Sequence, residues 1–358
     1  MTWTTQFFGE LSQLDAELTS IDNISVVQII REVDNDITFY NDQSAKFFGP
    51  LTELISVPQK TVRYYDGEDL ENWNEAARPS SRISLWDYTQ EIPFEEKMTA
   101  LTLTTRAVKT MTADELAAYV QSKLTAFQKA KFNALRQAIF NNTNRVIIDS
   151  QAKYQTTSLP FWNSATGTSV PAINGYTFVS GDLQHYNGVA TGTTPTGTDV
   201  RTRLIDKVRH HGFNQIEIWV SPYDYSLEAL TGIFVPADNQ IGRSLMTATG
   251  TATNERMRPF SPWENLVGFV YNCPIIKTPI VPPNYAIAVG TDGGALKAPF
   301  LSRQHPIASL QGLQTEVKSN FPLENTIMTE GFGYAPNHRG AVAVLQMNST
   351  TYTVPTIV

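Results

Sequence analysis

Cysteine is nearly absent from this chain of 358 residues, since Cys273 is the only one. A single cysteine excludes an intrachain disulfide and any zinc site built from several thiolates. The apolar context and the neighbouring Pro274 predict that Cys273 is a small buried hydrophobic residue. Such sparing use of cysteine fits a protein assembled in a reducing cytoplasm.

Charge is also scarce, at 17% of residues, and acidic residues outnumber basic ones to give a net charge of −7. The sequence contains no dense cluster of lysine and arginine. Proteins that bind nucleic acid tightly do so through basic surfaces that neutralise phosphates, so this class is disfavoured. A protein that only encloses DNA does not need a basic surface.

No apolar stretch approaches the roughly 18 residues of a membrane-spanning helix. The first residues, Met1-Thr2-Trp3-Thr4, show no basic region followed by an apolar run, so we predict no signal peptide. We therefore expect a soluble protein that is made inside a cell and has no membrane partner.

Motifs for catalysis and for metal or cofactor binding are missing. The sequence has no His-Glu-x-x-His pattern and no Gly-x-Ser-x-Gly elbow. The glycine-rich stretch Gly290–Gly294 is not followed by the Gly-Lys-Ser/Thr that completes a P-loop, and we interpret this stretch as a turn after a strand. His210 and His211 are predicted to lie at a helix end and to offset the helix dipole. We predict that the protein is not an enzyme and has no catalytic, cofactor-binding or metal-binding residues.

The clearest local signal is a long helix at 112–141. Thr112 and Glu115 form a capping box, and apolar residues follow at helical spacing. These apolar residues are Leu116, Tyr119, Leu124, Phe127, Leu135, Ala138 and Ile139. Four basic residues lie mostly off this stripe, and we interpret them as a solvated or partner-facing edge. They are Lys123, Lys129, Lys131 and Arg136.

An extended hairpin is predicted before this helix. Short β-like stretches at Thr61–Tyr65 and Arg82–Tyr88 flank a long polar tip. A two-stranded hairpin is marginal in isolation, so we expect it to pack on another subunit. Its carboxylates are interpreted as exposed charges that pair with a neighbour's arginine or form a divalent-ion site at a subunit junction. The predicted interface residues are Arg63, Tyr64, Glu68, Arg78, Arg82, Trp86 and Glu95.

The rest of the chain mixes strands and helices, which predicts an α+β fold. Residues 1–50 indicate short helical pieces at Phe7–Leu18 and Asn23–Val33, and residues 143–200 are rich in loops. Helices are predicted at Val200–His211, ended by Gly212, and at Pro222–Thr231. The predicted strands are Thr99–Thr105, Ile216–Val220, Leu266–Tyr271, Tyr285–Val289 and several between Gln314 and Gln346.

The order of these elements resembles the HK97-type major capsid protein family of tailed bacteriophages. The stretches that carry the likeness are Ile216–Asp224, Pro274–Gly290 and Thr329–Leu345, and it extends over roughly residues 50 to 350. The resemblance implies an HK97-like capsid fold with an N-arm (1–55), an extended E-loop hairpin (56–98), a P-domain with a long spine helix (99–198), an A-domain (199–312) and closing P-domain strands (313–358).

The resemblance also implies a function that resides in interfaces. Hexamers and pentamers of the chain would close into an icosahedral shell around double-stranded DNA, with only non-specific contact to that DNA. Only about 50 residues precede the hairpin, so a separate scaffold protein is expected, together with a portal and a decoration protein. Two other hypotheses stay open, an encapsulin-type compartment and a carbohydrate-binding or carbohydrate-processing protein, the latter motivated by loops around Trp162 and Tyr176.

Overall fold

The computed structural model has a mixed α+β fold, as predicted. The structure describes residues 37–38, 40–42, 44, 49, 51–65, 85–104, 110, 112–151, 153–163, 181–192, 194–230, 232–236, 265–291, 298–320 and 323–357. The predicted helical pieces at Phe7–Leu18 and Asn23–Val33 lie outside these residues.

The long helix α1, Ala113–Phe140, confirms the clearest sequence prediction. The Thr112 side chain accepts from the backbone of Glu115, whose carboxylate accepts from the backbone of Thr112, so both halves of the capping box form. Buried residues recur at helical spacing along one face, which packs against both sheets of the body. They are Val120, Leu124, Phe127, Ala134, Leu135, Ala138, Ile139 and Phe140.

A seven-stranded sheet forms the main core. Its order is β7-β16-β12-β8-β11-β10-β9, and its neighbouring strands β16 and β12 are buried at every position. Strands buried on both faces are apolar at nearly every position, which explains the run Ala341–Leu345. The bounds are β7 Tyr186–Gly188, β8 Ile216–Val220, β9 Phe234–Pro236, β10 Asn265–Val270, β11 Cys273–Lys277, β12 Tyr285–Gly290 and β16 Val342–Gln346.

A second sheet is organised around the longest strand, β15, which spans Leu323–Pro336. The first part of β15 lies between β4 and β14, and its last residues pair with β13, which in turn pairs with β1. The bounds are β1 Thr52–Ile55, β4 Glu95–Thr104, β13 Phe300–Arg303 and β14 Leu313–Asn320.

The smaller elements complete the described fold. The predicted hairpin is confirmed as antiparallel strands β2, Gln59–Tyr65, and β3, Leu85–Glu91. A second hairpin, β5 Arg145–Ile148 and β6 Gln155–Ser158, follows α1. A 3₁₀ turn lies at Ala308–Leu310.

Helix α2 begins earlier than predicted. Its successive pieces are Gly197–Asp199, Val200–Ile205 in π-helical geometry, and Asp206–Arg209. Thr196 and Asp199 form a capping box that fixes this start, and Gly212 follows with a φ of 86°. Nothing in the sequence indicated the π-helical geometry of the middle piece of α2.

The predicted helix over Pro222–Thr231 is wrong. The described residues 222–230 form successive turns. The Asp224 carboxylate accepts from the backbone N–H groups of Ser226 and Asn284, and the Ser221 hydroxyl accepts from that of Tyr223. Side chains of this kind compete with helical hydrogen bonds and favour turns.

Candidate assembly surfaces

The β2–β3 hairpin extends from the body with one of its faces in solvent. In β2 the side chains of Gln59, Thr61 and Arg63 are exposed, and Arg63 lies opposite Asp87 in the strand register. Tyr64 and Trp86 are also opposite each other in this register. The predicted interface residues Glu68, Arg78 and Arg82 lie outside the described residues.

The predicted interface residue Glu95 occupies a different setting. It begins β4 in the body sheet, opposite Phe332 of β15. Its carboxylate pairs with Arg145 at 2.7 Å and with Lys97 at 2.9 Å in the same chain. Glu95 therefore lies in the body sheet with charge partners from its own chain, and its role in an interface stays a prediction.

The base of the hairpin is fastened to the turn between β15 and β16 by a network that we call the clasp. The Lys60 amine donates to the Asn337 side-chain oxygen at 3.1 Å and pairs with Glu53. The Asn337 amide donates to Glu53 at 3.1 Å and to the Ala298 carbonyl at 2.9 Å. The Tyr88 hydroxyl donates to the Asn337 carbonyl, so both hairpin strands are tied to one residue.

The same end of β3, at the hairpin base, is also held by β6. The Gln90 amide donates to the Ser158 hydroxyl at 2.9 Å, and the Glu91 carboxylate accepts from the Thr157 backbone at 2.5 Å. A Cβ atom at Gly333 would stand 1.7 Å from the Pro93 carbonyl, so glycine is needed where the chain leaves the hairpin. The hairpin therefore projects from a fixed base.

A buried charge network joins α1 to β15 and to the helical residues between 37 and 44. The Lys131 amine pairs with Glu330 and donates to the Ser44 hydroxyl at 2.8 Å, and the Tyr40 hydroxyl donates to Glu330 at 2.9 Å. Burial lowers the pKa of Lys131, while burial and the Glu330 charge raise the pKa of Tyr40.

This network corrects the placement of Lys131 on a solvated edge, since the residue is 7% exposed. The error has a visible cause. Lys131 lies four residues after Phe127 and four before Leu135, so it belongs to the apolar stripe by spacing. Arg136 is half-buried and donates to the Ile280 carbonyl at 2.9 Å, whereas Lys129 is exposed as expected.

An open groove of about 680 Å³ lies beside the C-terminal end of α1. Its lining includes the apolar side chains of Val146, Ile148 and Val354, which are 50%, 74% and 47% exposed. Arg145 and Glu96 supply charge at the same groove. Clustered exposed apolar side chains are typical of surfaces that meet other proteins.

The aromatic loops that motivated a carbohydrate-binding hypothesis do not offer Trp162 to a ligand. Trp162 is 1% exposed, with the Arg339 guanidinium 4.1 Å from its ring centre. Tyr176 lies outside the described residues. A buried indole cannot serve as a stacking platform for a sugar.

The described part of the chain has neither a grouped set of metal ligands nor a helix that could span a membrane. No group of three or more histidine, cysteine or acidic side chains is placed there to hold a metal ion. Within the same ranges, no helix has the length and apolar content needed to cross a membrane. Cys273 is buried as predicted, and burial raises the pKa of its thiol.

Comparison with known proteins shows similarity in fold only. No protein-family model and no curated protein sequence matches the chain. A solved structure from Mycobacterium phage Patience matches with a TM-score of 0.64 at 17% identity, covering 95% of this chain and 93% of the other. The chain has the fold of this phage protein.

Two further matches have lower scores. The capsid of Ralstonia phage GP4 has a TM-score of 0.48 at 11% identity, covering 85% of this chain and 87% of the other. The holo-SrpI encapsulin complex from Synechococcus elongatus PCC 7942 has a TM-score of 0.45 at 14% identity, covering 87% and 90%.

Proposed function

We propose that the chain is the major capsid protein of a tailed bacteriophage, a structural protein whose copies form the icosahedral shell around double-stranded DNA. The observation that carries the proposal is the fold shared with the Mycobacterium phage Patience structure over nearly the full length of both chains. The projecting hairpin supports it, because a self-contained monomer gains no stability from strands that leave its core.

The segments take the roles that this fold implies. Residues 56–98 are the E-loop that reaches an adjacent subunit, and α1 is the spine helix that stiffens the P-domain. The remaining assignments are the N-arm at 1–55, the P-domain at 99–198, the A-domain at 199–312 and the closing strands at 313–358.

The contacts between copies involve the hairpin and the groove beside α1. A neighbouring copy covers the hairpin beyond the clasp, including Arg63, Tyr64 and Trp86 on β2 and β3. Glu68, Arg78 and Arg82, which come between these strands in the sequence, are assigned to the same contact. The exposed apolar side chains of Val146 and Ile148 give a second copy an apolar contact. A shell gains strength from many modest interfaces of this kind.

The partners follow from the same proposal. Copies form hexamers and pentamers, a separate scaffold protein guides assembly in the host bacterial cytoplasm, and the shell takes a portal and a decoration protein. The packaged DNA makes only non-specific contact with the wall of the virion. The net charge of −7 suits this role, because an acidic wall does not bind the phosphates strongly.

The test is negative-stain microscopy with size-exclusion chromatography on the full chain, expressed alone and with its genomic neighbours. We expect shells, capsomer rings or megadalton assemblies. DNA inside the particles supports a phage capsid, whereas a packaged enzyme indicates an encapsulin-type compartment instead. A monomer of 39.8 kDa under every condition, with the scaffold present, would overturn the proposal.

A further inference from the structure

Two buried histidines face each other between α2 and the edge strand β7. The Nε2 atoms of His185 and His211 are 3.1 Å apart, and both residues are buried. His185 directly precedes β7, and His211 follows the end of α2. The prediction that a charged His211 offsets the helix dipole is wrong, because burial and the neighbouring histidines lower the pKa of His211 and disfavour its charged form.

The hydrogen bonds determine which ring nitrogens of His185 and His211 carry a hydrogen. His185 Nδ1 is 2.7 Å from the Val342 carbonyl oxygen, which can only accept, so Nδ1 carries a hydrogen. The Nε2 atom of neutral His185 therefore accepts, and His211 Nε2 donates to it. A proton on both Nε2 atoms would place two N–H groups against each other at this distance.

Every element around the pair presents positive or neutral groups toward it. Lys207 and His210 come from α2 and its end, and Arg339 and His338 from the turn after β15. The described acidic group nearby, Asp182, lies 3.7 Å from the Lys207 amine and from His210 Nδ1. These surroundings oppose added positive charge, and burial lowers the pKa of His185 to about 3.

Space at the pair is tight, so the rings cannot move apart freely. The Trp162 ring stacks on His211 with centroids 6.5 Å apart. A Cβ atom at Gly340 would stand 2.3 Å from the His211 ring, so the glycine makes room for the imidazole. The backbone of His185 accepts from Val344 N at 2.7 Å and donates to Trp162 O at 3.0 Å, which ties the pair to the edge of the sheet.

We propose that the His185–His211 pair is an acid-sensitive joint, where protonation of both rings separates them and releases β7 from the end of α2 and from the turn at 338–341, which packs against the His211 ring. The joint also adjoins the clasp, because Asn337 immediately precedes this turn. The proposal concerns the subunit itself and does not depend on the proposed shell function.

The direction of the pH effect follows from linkage. An unfolded histidine has a pKa near 6.5, and the folded pair takes up protons only at lower pH. The pair therefore gives its full contribution to the free energy of unfolding above about pH 6.5. That contribution is lost as the pH falls below this value. Because the folded pKa of His185 is about 3, this residue lowers the folding equilibrium constant by about 25-fold between pH 7 and pH 5.

The first experiment is hydrogen exchange on the wild-type full chain at pH 7 and pH 5, with exchange times corrected for intrinsic amide chemistry. We expect protection to fall at residues 184–190, 209–213 and 338–344 while strand β12, in the interior of the sheet, keeps its protection. Uniform loss across the chain, or no loss at these segments, would overturn the proposal.

The second experiment compares the pH dependence of the unfolding equilibrium in the double variant His185→Asn, His211→Gln. The Asn amide can replace the donor to Val342, and the Gln amide keeps a donor near the Nε2 position, but neither protonates. We expect the unfolding equilibrium of the double variant to lose most of its dependence on pH between 7 and 5. The control His305→Gln changes a histidine in a partly exposed turn and should keep the wild-type dependence. Equal pH dependence of unfolding in the wild type and the double variant would refute the proposed joint. If the double variant does not fold, the hydrogen-exchange result on the wild type decides whether the proposal holds.

Discussion

The hairpin β2–β3 and the seven-stranded sheet are both made of paired strands and yet differ in what covers them. Every position of β12 and β16 is buried by the chain's own strands and helices. In β2, alternate side chains from Gln59 to Arg63 are exposed, and the clasp holds only the base. The sheet is therefore covered within one subunit, whereas the hairpin leaves one face of β2 in solvent.

This contrast separates stability from assembly. Burying an isoleucine or valine side chain contributes about 1.5–3 kcal/mol, so the sheet supplies much of the free energy of folding. The exposed hairpin positions contribute little to folding, which leaves them free to serve contacts between copies. Substitutions in the two regions should therefore change different measurements.

The largest loss of stability is expected at the buried charge network. Glu330→Ala leaves the Lys131 amine buried without its carboxylate and removes the acceptor of the Tyr40 hydroxyl. We expect the free energy of unfolding to fall by about 3–5 kcal/mol in chemical denaturation. Glu316→Ala, at an exposed position of the same sheet, should change it by less than about 1 kcal/mol. Equal losses would show that burial of the pair does not matter.

A similar loss is expected at the centre of the seven-stranded sheet. Ile287→Ala opens a cavity in β12, where the side chain is 0% exposed, and should cost about 2–5 kcal/mol. The matched control Val235→Ala lies in the edge strand β9, half-exposed, and should cost less than about 1 kcal/mol. Thermal and denaturant unfolding of the two variants measure these losses in the free energy of unfolding. A control as damaging as Ile287→Ala would contradict the location of the core.

A smaller effect is expected at the start of α1. Thr112→Ala removes the hydroxyl that accepts from the Glu115 backbone and should cost about 1 kcal/mol. The control Thr125→Ala makes the same chemical change on an exposed turn of the helix and should be neutral or slightly stabilising. If the two variants unfold at the same denaturant concentration, the capping box does not stabilise the helix.

The smallest effect on stability is expected in the hairpin, together with the clearest effect on assembly. Arg63→Glu should change the free energy of unfolding by no more than about 0.5 kcal/mol, because the side chain is exposed. Sedimentation velocity should nevertheless show fewer large particles than for wild type. Arg201→Glu makes the same charge change on the exposed surface of α2 and should assemble normally. Normal assembly of Arg63→Glu would remove Arg63 from the interface.

The sequence predicted the elements that have strong local signals. Helix α1 was readable from its capping box and spacing, and the strands at Ile216–Val220 and Tyr285–Val289 from their apolar runs. The sites were harder, because they depend on tertiary contacts. Nothing local to Asn337 indicates that Lys60 and Glu53 converge on it from 277 and 284 residues away. Lys131 is the exception, since its position on the apolar stripe was a usable signal.

The central claim is that a neighbouring copy covers the hairpin. The most direct measurement is a high-resolution cryo-EM reconstruction of the particles that the full chain forms. The account predicts a closed shell in which the exposed face around Arg63 is buried against an adjacent subunit, while the seven-stranded sheet keeps its structure. A shell whose hairpins stand in solvent, or particles without closed symmetry, would contradict it.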